Sequence, residues 1–213
     1  MHIELLSITP DPEKLIERAG RTCYLSFDKI TNESAGVFIR GAIKRGHESI
    51  LEHASATFRV TGVSRALTHQ LVRHRIGFSF SQQSQRYVKE DQFDYVVPDS
   101  IKNNKEFIEA WFPGCGLQSM SEKYNKHMKA TQNLYDYFIK NGVKPEDARS
   151  ILPNACVTEI VVTANFRAWR HFLKLRLDHH AQEEIRLLAQ SIGKVLIENA
   201  PNVFHDLEGL IYA

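Results

Sequence analysis

A helix-dominated α+β fold is what this sequence predicts, and three observations carry it. Several stretches place apolar residues at helical spacing, two short stretches alternate strictly, and no internal repeat, low-complexity tract or linker separates them. The 213 residues would suit one large or two small domains, and a chain of that size buries roughly two-thirds or more of its unfolded surface. A single domain over residues 1–213 is the simplest organisation.

The first predicted helix is Pro12 to Tyr24, with Leu15, Ile16, Ala19 and Cys23 near one face, Asp11 as N-cap and Pro12 at the first helical position. Asn32 to Lys44 reads as a second helix, with Val37, Phe38 and Ile43 on its apolar side and Gly46 stopping it. In Ala54 to Val60 the residues Ala54, Ala56, Phe58 and Val60 face one way and Ser55, Thr57 and Arg59 the other, which is a strand. Ser64 opens a helix to Arg75 with Ala66, Leu67 and Leu71 inward, setting Gln70, Arg73 and His74 within one turn of one another. Ile76 to Pro98 has no helical period and reads as loop and strand.

Lys102 to Asn141 reads as helical, broken at Phe112 to Gly116 by Pro113, Gly114 and Gly116. Lys144 to Leu152 is a short helix and Cys156 to Thr163 a strand. Asn165 to Leu177 is a helix, as is His180 to Glu198, where Ile185, Leu188, Ala189, Ile192, Leu196 and Ile197 form the inner side.

Composition narrows the function. Apolar residues at 43% and charged residues at 24% are globular values. No apolar run approaches the ~18 residues of a membrane span, and the N-terminal stretch lacks the pattern of a signal peptide, so the expected compartment is the cytoplasm. Cys23, Cys115 and Cys156 stand apart with no CxxC pair, which suits reduced thiols. Neither HExxH nor HxH occurs, the neighbours His179 and His180 are expected on different faces, and no metal is predicted. GxGxxG and the P-loop pattern are absent too, so any nucleotide must be held by side chains.

Charge is segregated. From His53 to Lys89 there is no acid, and Arg59, Arg65, Arg73, Arg75, Arg86 and Lys89 give +6, while the rest of the chain sums to −4. Arginine grips phosphate or carboxylate bidentately and stays ionised when half-buried. An anionic ligand is one reading, and pairing with acids from other segments or subunits is the other. Within this stretch, Gln70 to Tyr87 collects donors (Gln70, Arg73, His74, Arg75, Ser79, Ser81, Gln82, Gln83, Ser84, Gln85, Arg86, Tyr87), a set suited to a phosphate and a carbonyl-and-imide ring edge, or to a solvated polar loop. Interleaved aromatics also fit single-stranded nucleic acid, although Phe78 and Phe80 alternate as strand core. A second cluster, Asn165 to Arg186, holds Arg167, Arg170, His171, Lys174 and Arg176, each readable as a ligand contact or as a cation lying over an apolar face, and Arg176 closes the segment where Asp178 could pair with it locally. Cys156 reads as a small core residue rather than a nucleophile.

The segments GHESILEH (46–53), QLVRHR with SQRY (70–87) and NFRAWRHFLKLRLDHHAQEEIR (165–186) together resemble the flavin-dependent thymidylate synthases. That family spaces Arg-His-Arg seven residues from Ser; here eight separate Arg75 from Ser84, one extra residue around Ile76 and Gly77. The resemblance implies a helix-rich fold with a small, mostly antiparallel sheet. It also implies a methyltransferase that converts dUMP to dTMP with methylenetetrahydrofolate as carbon donor, FAD as redox cofactor and NADPH as reductant. It implies a homotetramer with active sites between subunits, with neither nucleic acid nor membrane as partner. By the same resemblance Gln70, Arg73, Ser84, Gln85, Arg86 and Arg149 bind dUMP. His53, Ser55, Arg73, His74, Arg75, Asn165, Arg167, His171 and His180 contact FAD. Gln82 touches both ligands, and Arg176 stabilises uracil ionised at N3 as the catalytic residue, so that no protein nucleophile is needed.

Overall fold

A computed structural model describes residues 1–109 and 117–213. Strand β1 (His2–Ile8) is followed by helices α1 (Pro12–Thr22) and α2 (Ser34–Lys44), then strand β2 (Ser55–Ser64), helix α3 (Arg65–Leu71) and strand β3 (Phe78–Gln82). Helix α4 (Asp99–Lys102), strands β4 (Phe107–Glu109) and β5 (Leu117–Ser119), and helices α5 (Met120–Lys140) and α6 (Pro145–Ala148) come next. Strand β6 (Val157–Asn165) leads directly into α7 (Phe166–Arg176), and α8 (Glu183–Asn199), α9 (Pro201–Phe204) and α10 (Glu208–Ile211) end the chain. The main sheet has the order β1-β2-β6-β3, with β1 and β2 antiparallel, and β4 and β5 form a separate antiparallel pair. Among the described residues no helix is long and apolar enough to cross a membrane.

The chain gathers into two compact units, one of residues 1–61, 69–81 and 160–213, the other of residues 62–68 and 82–159. In the first, the alternation predicted for β2 is realised: Ala56, Phe58 and Val60 are buried while Thr57 is half-buried and Arg59 exposed. Trp169 is the hub of the adjoining core. Its ring packs edge-on against Phe58, Phe78 and Phe172 at 5.2–5.6 Å between centroids, and its indole N–H donates to the Ala56 carbonyl at 3.2 Å, so the polar edge of the largest buried side chain is satisfied. In the second unit Phe93, Met128 and Cys156 form a core patched by Tyr95, Tyr124 and Leu152. Cys156 is completely buried there, as the core reading expected.

Several expectations shift. Asp11 occupies the N-cap of α1 with a left-handed backbone (φ 43) and makes no side-chain cap; only its carbonyl serves, accepting from Leu15 N at 3.1 Å. Gly46, at φ +75, ends α2 as predicted, with its N–H and that of His47 returning to Ile43 and Ala42. The predicted helix from Ser64 to Arg75 stops at Leu71, and Ser64 caps it by accepting from Leu67 N at 3.1 Å.

The helix predicted over Lys102 to Asn141 is corrected to a β-pair followed by α5. Its start is fixed by a capping box, in which Ser119 Oγ accepts from Glu122 N at 3.2 Å and the Glu122 carboxylate accepts from Ser119 N at 2.8 Å. The predicted break at Phe112 to Gly116, and with it Cys115, lies outside the described residues. Helix α8 begins at Glu183 rather than His180 because Asp178 accepts from His180 N at 2.8 Å and holds that stretch in a turn.

Candidate active site

Helix α7 sets the site in the first unit. Asn165 caps it, its side-chain oxygen accepting from Ala168 N at 2.8 Å. The side of α7 carrying Phe166, Trp169, Arg170, Phe172 and Leu173 is buried, which leaves His171 and Leu175, one turn apart, looking outward. They join Arg73, His74, Arg75, Ile76, Phe78 and Arg176 around a cavity of about 400 Å³. Not one of those eight residues is an acid. Gly77 makes the approach possible. At φ +77, with an ideal Cβ only 2.8 Å from Asn165 Nδ2 and 2.9 Å from Ala168 Cβ, it must be glycine. Its carbonyl receives Asn165 N at 3.3 Å, which sets this left-handed turn against the start of α7.

Inside the cavity wall, Arg176 donates from Nε to His74 Nε2 at 3.0 Å and from Nη2 to the Gln70 carbonyl at 3.3 Å. An arginine cannot accept, so His74 Nε2 must be the unprotonated nitrogen. Burial, then the Arg176 charge, then His171 push the His74 pKa down to about 4, and burial lowers that of Arg176. Arg73 and Arg75 are exposed and form no salt bridge among the described residues.

Of the residues expected at FAD, Arg73, His74, Arg75 and His171 line this cavity. The others are placed apart from its lining. His53 is exposed at the end of the 3-10 segment Glu48–His53; Ser55 is half-buried, its main chain bonded to Thr9; Asn165 is spent on the cap; Arg167 pairs with Glu52 at 2.6 Å. His180 bonds Asp178 at 2.9 Å, and His179 turns to the same carboxylate at 3.7 Å with the two imidazoles 3.7 Å apart, which corrects the expectation of different faces. Among the described residues Asp178, His179 and His180 are the groups gathered closely enough, within 4.8 Å, to hold a metal ion, and all three are exposed.

Of the residues expected at dUMP, Gln70, Arg73 and Arg176 belong to the first unit, and Gln82, Ser84, Gln85, Arg86 and Arg149 to the second. There Gln82 donates to Thr68 at 2.9 Å and Thr158 at 3.3 Å. Arg86 reaches the Glu146 carboxylate at 3.3 Å, Arg149 donates to the Glu146 carbonyl at 3.2 Å, and Ser84 Oγ accepts from Arg86 N at 3.3 Å. Ser84, Arg86 and Arg149 are thus one cluster. Gln85 is buried, and its Nε2 has no acceptor in bonding geometry, although the amide lies near enough to Glu90 to lower that carboxyl's pKa, which burial raises overall.

Sequence reasoning missed Arg65 as a scaffold. Its Nη2 holds the Gln83 carbonyl at 2.7 Å and so fixes the strand end that delivers Ser84; only the charge count pointed to it. Arg170, readable either way, is structural. It is completely buried, with Nη1 and Nη2 on the Asp206 carboxylate at 2.6 and 2.8 Å, Glu48 at 3.4 Å and the Val203 carbonyl also bonded. Lys174 shares Glu48 at 3.3 Å.

Fold and cavity define an α+β protein with a candidate site walled by cationic and aromatic side chains rather than by a glycine loop. Residues 4–202 match the family model described as thymidylate synthase complementing protein. The chain is 42% identical over 208 residues to a flavin-dependent thymidylate synthase of Corynebacterium diphtheriae, covering 95% of this chain and 81% of that one. It is 41% identical over 214 residues to one of Geobacter sulfurreducens, covering 97% and 86%. A crystal structure of a UMP/dUMP methylase, PolB from Streptomyces cacaoi, shares the fold with a TM-score of 0.81 at 23% identity, over 98% of this chain and 94% of that one. The chain belongs to the flavin-dependent thymidylate synthase family.

Proposed function

We propose that this protein is a flavin-dependent thymidylate synthase. It reductively methylates dUMP to dTMP with methylenetetrahydrofolate as carbon donor, FAD as redox cofactor and NADPH as reductant, and residues 1–213 act as one catalytic domain. The observation that carries the reading is the acid-free cavity of Arg73, His74, Arg75, His171 and Arg176 on the aromatic side chain of Phe78, in a chain of this family. The donor set suits FAD and dUMP, both of which present phosphates and a flat ring edged with carbonyls. On this reading Arg73, Arg75 and His171 hold the flavin, and Ser84, Arg86 and Arg149 take the dUMP phosphate, which would draw Arg86 from Glu146. The enzyme is a cytoplasmic homotetramer whose active sites lie between subunits.

Carbon 5 of uracil must become electron-rich to meet the methylene donor, and ionisation at N3 raises its electron density. A guanidinium fixed at the ring edge supports that charge, and in a half-buried site it contributes as preorganised electrostatics. Arg176 has the hydrogen-bond anchors and partial burial for this role. FAD, held by Arg73, Arg75 and His171, would when reduced supply the hydride that completes the methyl group. The protein needs no nucleophile, and Cys156, whose thiol burial pushes up to about 12, is unfit to be one. The test is an absorbance spectrum of the purified protein, followed by an assay of dTMP formation from dUMP, methylenetetrahydrofolate and NADPH. A flavin band and dTMP are expected; a protein that binds no flavin and forms no dTMP overturns the reading.

A further inference from the structure

We infer that His74 is a positioning residue for Arg176: the neutral imidazole accepts the Arg176 Nε–H and so fixes the plane and direction of the guanidinium at the cavity. This rests on the proposed function of the same site and assigns His74 a different part from direct contact with flavin. His74 is only 8% exposed, and its ring stands among Phe78, Phe172 and His171, at 5.7, 5.2 and 6.1 Å between centroids. Its Nε2 lone pair is spent on Arg176 at 3.0 Å, and the same guanidinium is tied by Nη2 to the Gln70 carbonyl at 3.3 Å.

Two anchors at different nitrogens stop a long, flexible side chain from swinging, and three of its five N–H groups remain for a ligand. The anchor works only while His74 is unprotonated. An imidazolium would set a second donor and a second positive charge against Nε, and the aromatic cage and the neighbouring Arg176 and His171 oppose that charge. The arrangement therefore delivers one guanidinium in a single orientation, which is what stabilising charge in a transition state requires.

The experiment compares His74→Phe, which keeps a ring in the aromatic cage but loses the acceptor, with His74→Gln, which offers a side-chain oxygen to the same donor. Each is made alone and combined with Arg176→Lys, whose amine has no Nε–H, in the flavin-loaded full chain. We expect His74→Phe to keep flavin, by its visible band, and to lower kcat at saturating dUMP about ten- to a hundredfold, the scale of a lost hydrogen bond to a charged group. His74→Gln should recover much of that loss, and in the Arg176→Lys background His74→Phe should cost less than threefold more. Full additivity in that background, or a loss of activity that tracks a loss of flavin, overturns the inference. Should His74→Phe fold poorly, by its thermal unfolding, the comparison of His74→Gln with His74→Leu decides on the same criteria. A wild-type protein without flavin or dTMP formation would instead sink the proposed function, so the two failures are separable.

Discussion

Replacing Asp206 by alanine leaves Arg170 with its charge completely buried, and the cost can be worked from the contacts. Asp206 supplies both carboxylate oxygens, at 2.6 and 2.8 Å; what remains is Glu48 at 3.4 Å and the Val203 carbonyl, while Arg170 Nε has no partner even in the intact protein. Removing one partner of a buried ion pair costs about 3–5 kcal/mol. Because the Asp206 side chain keeps 35% exposure and Glu48 remains, the lower end applies, about 3 kcal/mol.

In a chain of 213 residues that corresponds to a fall in Tm of roughly 6–12 °C. Denaturant unfolding at pH 7 is the assay. Burial works to raise the Asp206 carboxyl, but the hydrogen bonds and charge of Arg170 outweigh it and hold it below its ordinary value, so this stability is fully present at pH 7 and is lost only in acid. A double variant, Arg170→Met with Asp206→Leu, removes the charge as well as its partner and should recover at least half of the loss. A loss below about 1 kcal/mol for Asp206→Ala, or a double variant worse than the single, refutes the view that the buried charge is what needs Asp206. Activity is expected to fall with stability, since Glu48 ties the Glu48–His53 segment to α7, which carries His171 and Arg176.

Gly77→Ala must strain a φ of +77 and push a methyl into Asn165 and Ala168; a loss of about 2 kcal/mol and of flavin retention is expected by thermal unfolding and absorbance. Because His74 titrates at about 4 when folded and near 6.5 when unfolded, its contribution to stability is complete above pH 6.5 and declines as pH falls toward 4, by at most about 3 kcal/mol; unfolding of wild type and His74→Phe across that range should differ in slope accordingly. Cys156→Ala should cost about 1–2 kcal/mol as a small core cavity and leave turnover intact, and an inactive but folded variant would restore a nucleophile. Arg86→Ala should weaken dUMP at least tenfold in titrations while flavin stays bound, with little loss of stability because its pair with Glu146 is exposed.

The elements legible in advance were those with an uninterrupted period. In β2 the inward and outward sides separate residue by residue, and α8 buries every residue predicted for its inner side. Strand β1 went unread because its register shifts between Leu5 and Ser7, which breaks the alternation that identifies a strand. The pair β4 and β5 is three residues each, too short to establish a period, and it adjoins a 21-residue helix whose pattern swallowed it. The capping box at Ser119 and Glu122 was the available signal against that reading.

The arginines show where local pattern stops informing. Arg170 and Arg176 sit six residues apart on one helix, each a cation amid apolar neighbours, and Asp178, the acid close to Arg176 in sequence, bonds His180. What separates them is the chemistry that distant segments bring within reach. Arg170 meets Glu48 and Asp206, 122 and 36 residues away, and its charge is consumed internally. Arg176 meets His74, 102 residues away, an acceptor without charge, and keeps its positive charge for a cavity that has no acid in its lining. The charge count of +6 over His53 to Lys89 points to an anion but leaves both of these guanidinium groups outside it. Which of them faces a ligand is decided by where the fold withholds carboxylates, and a cation left without one in a partly enclosed wall is the one whose pairing energy is available to a ligand.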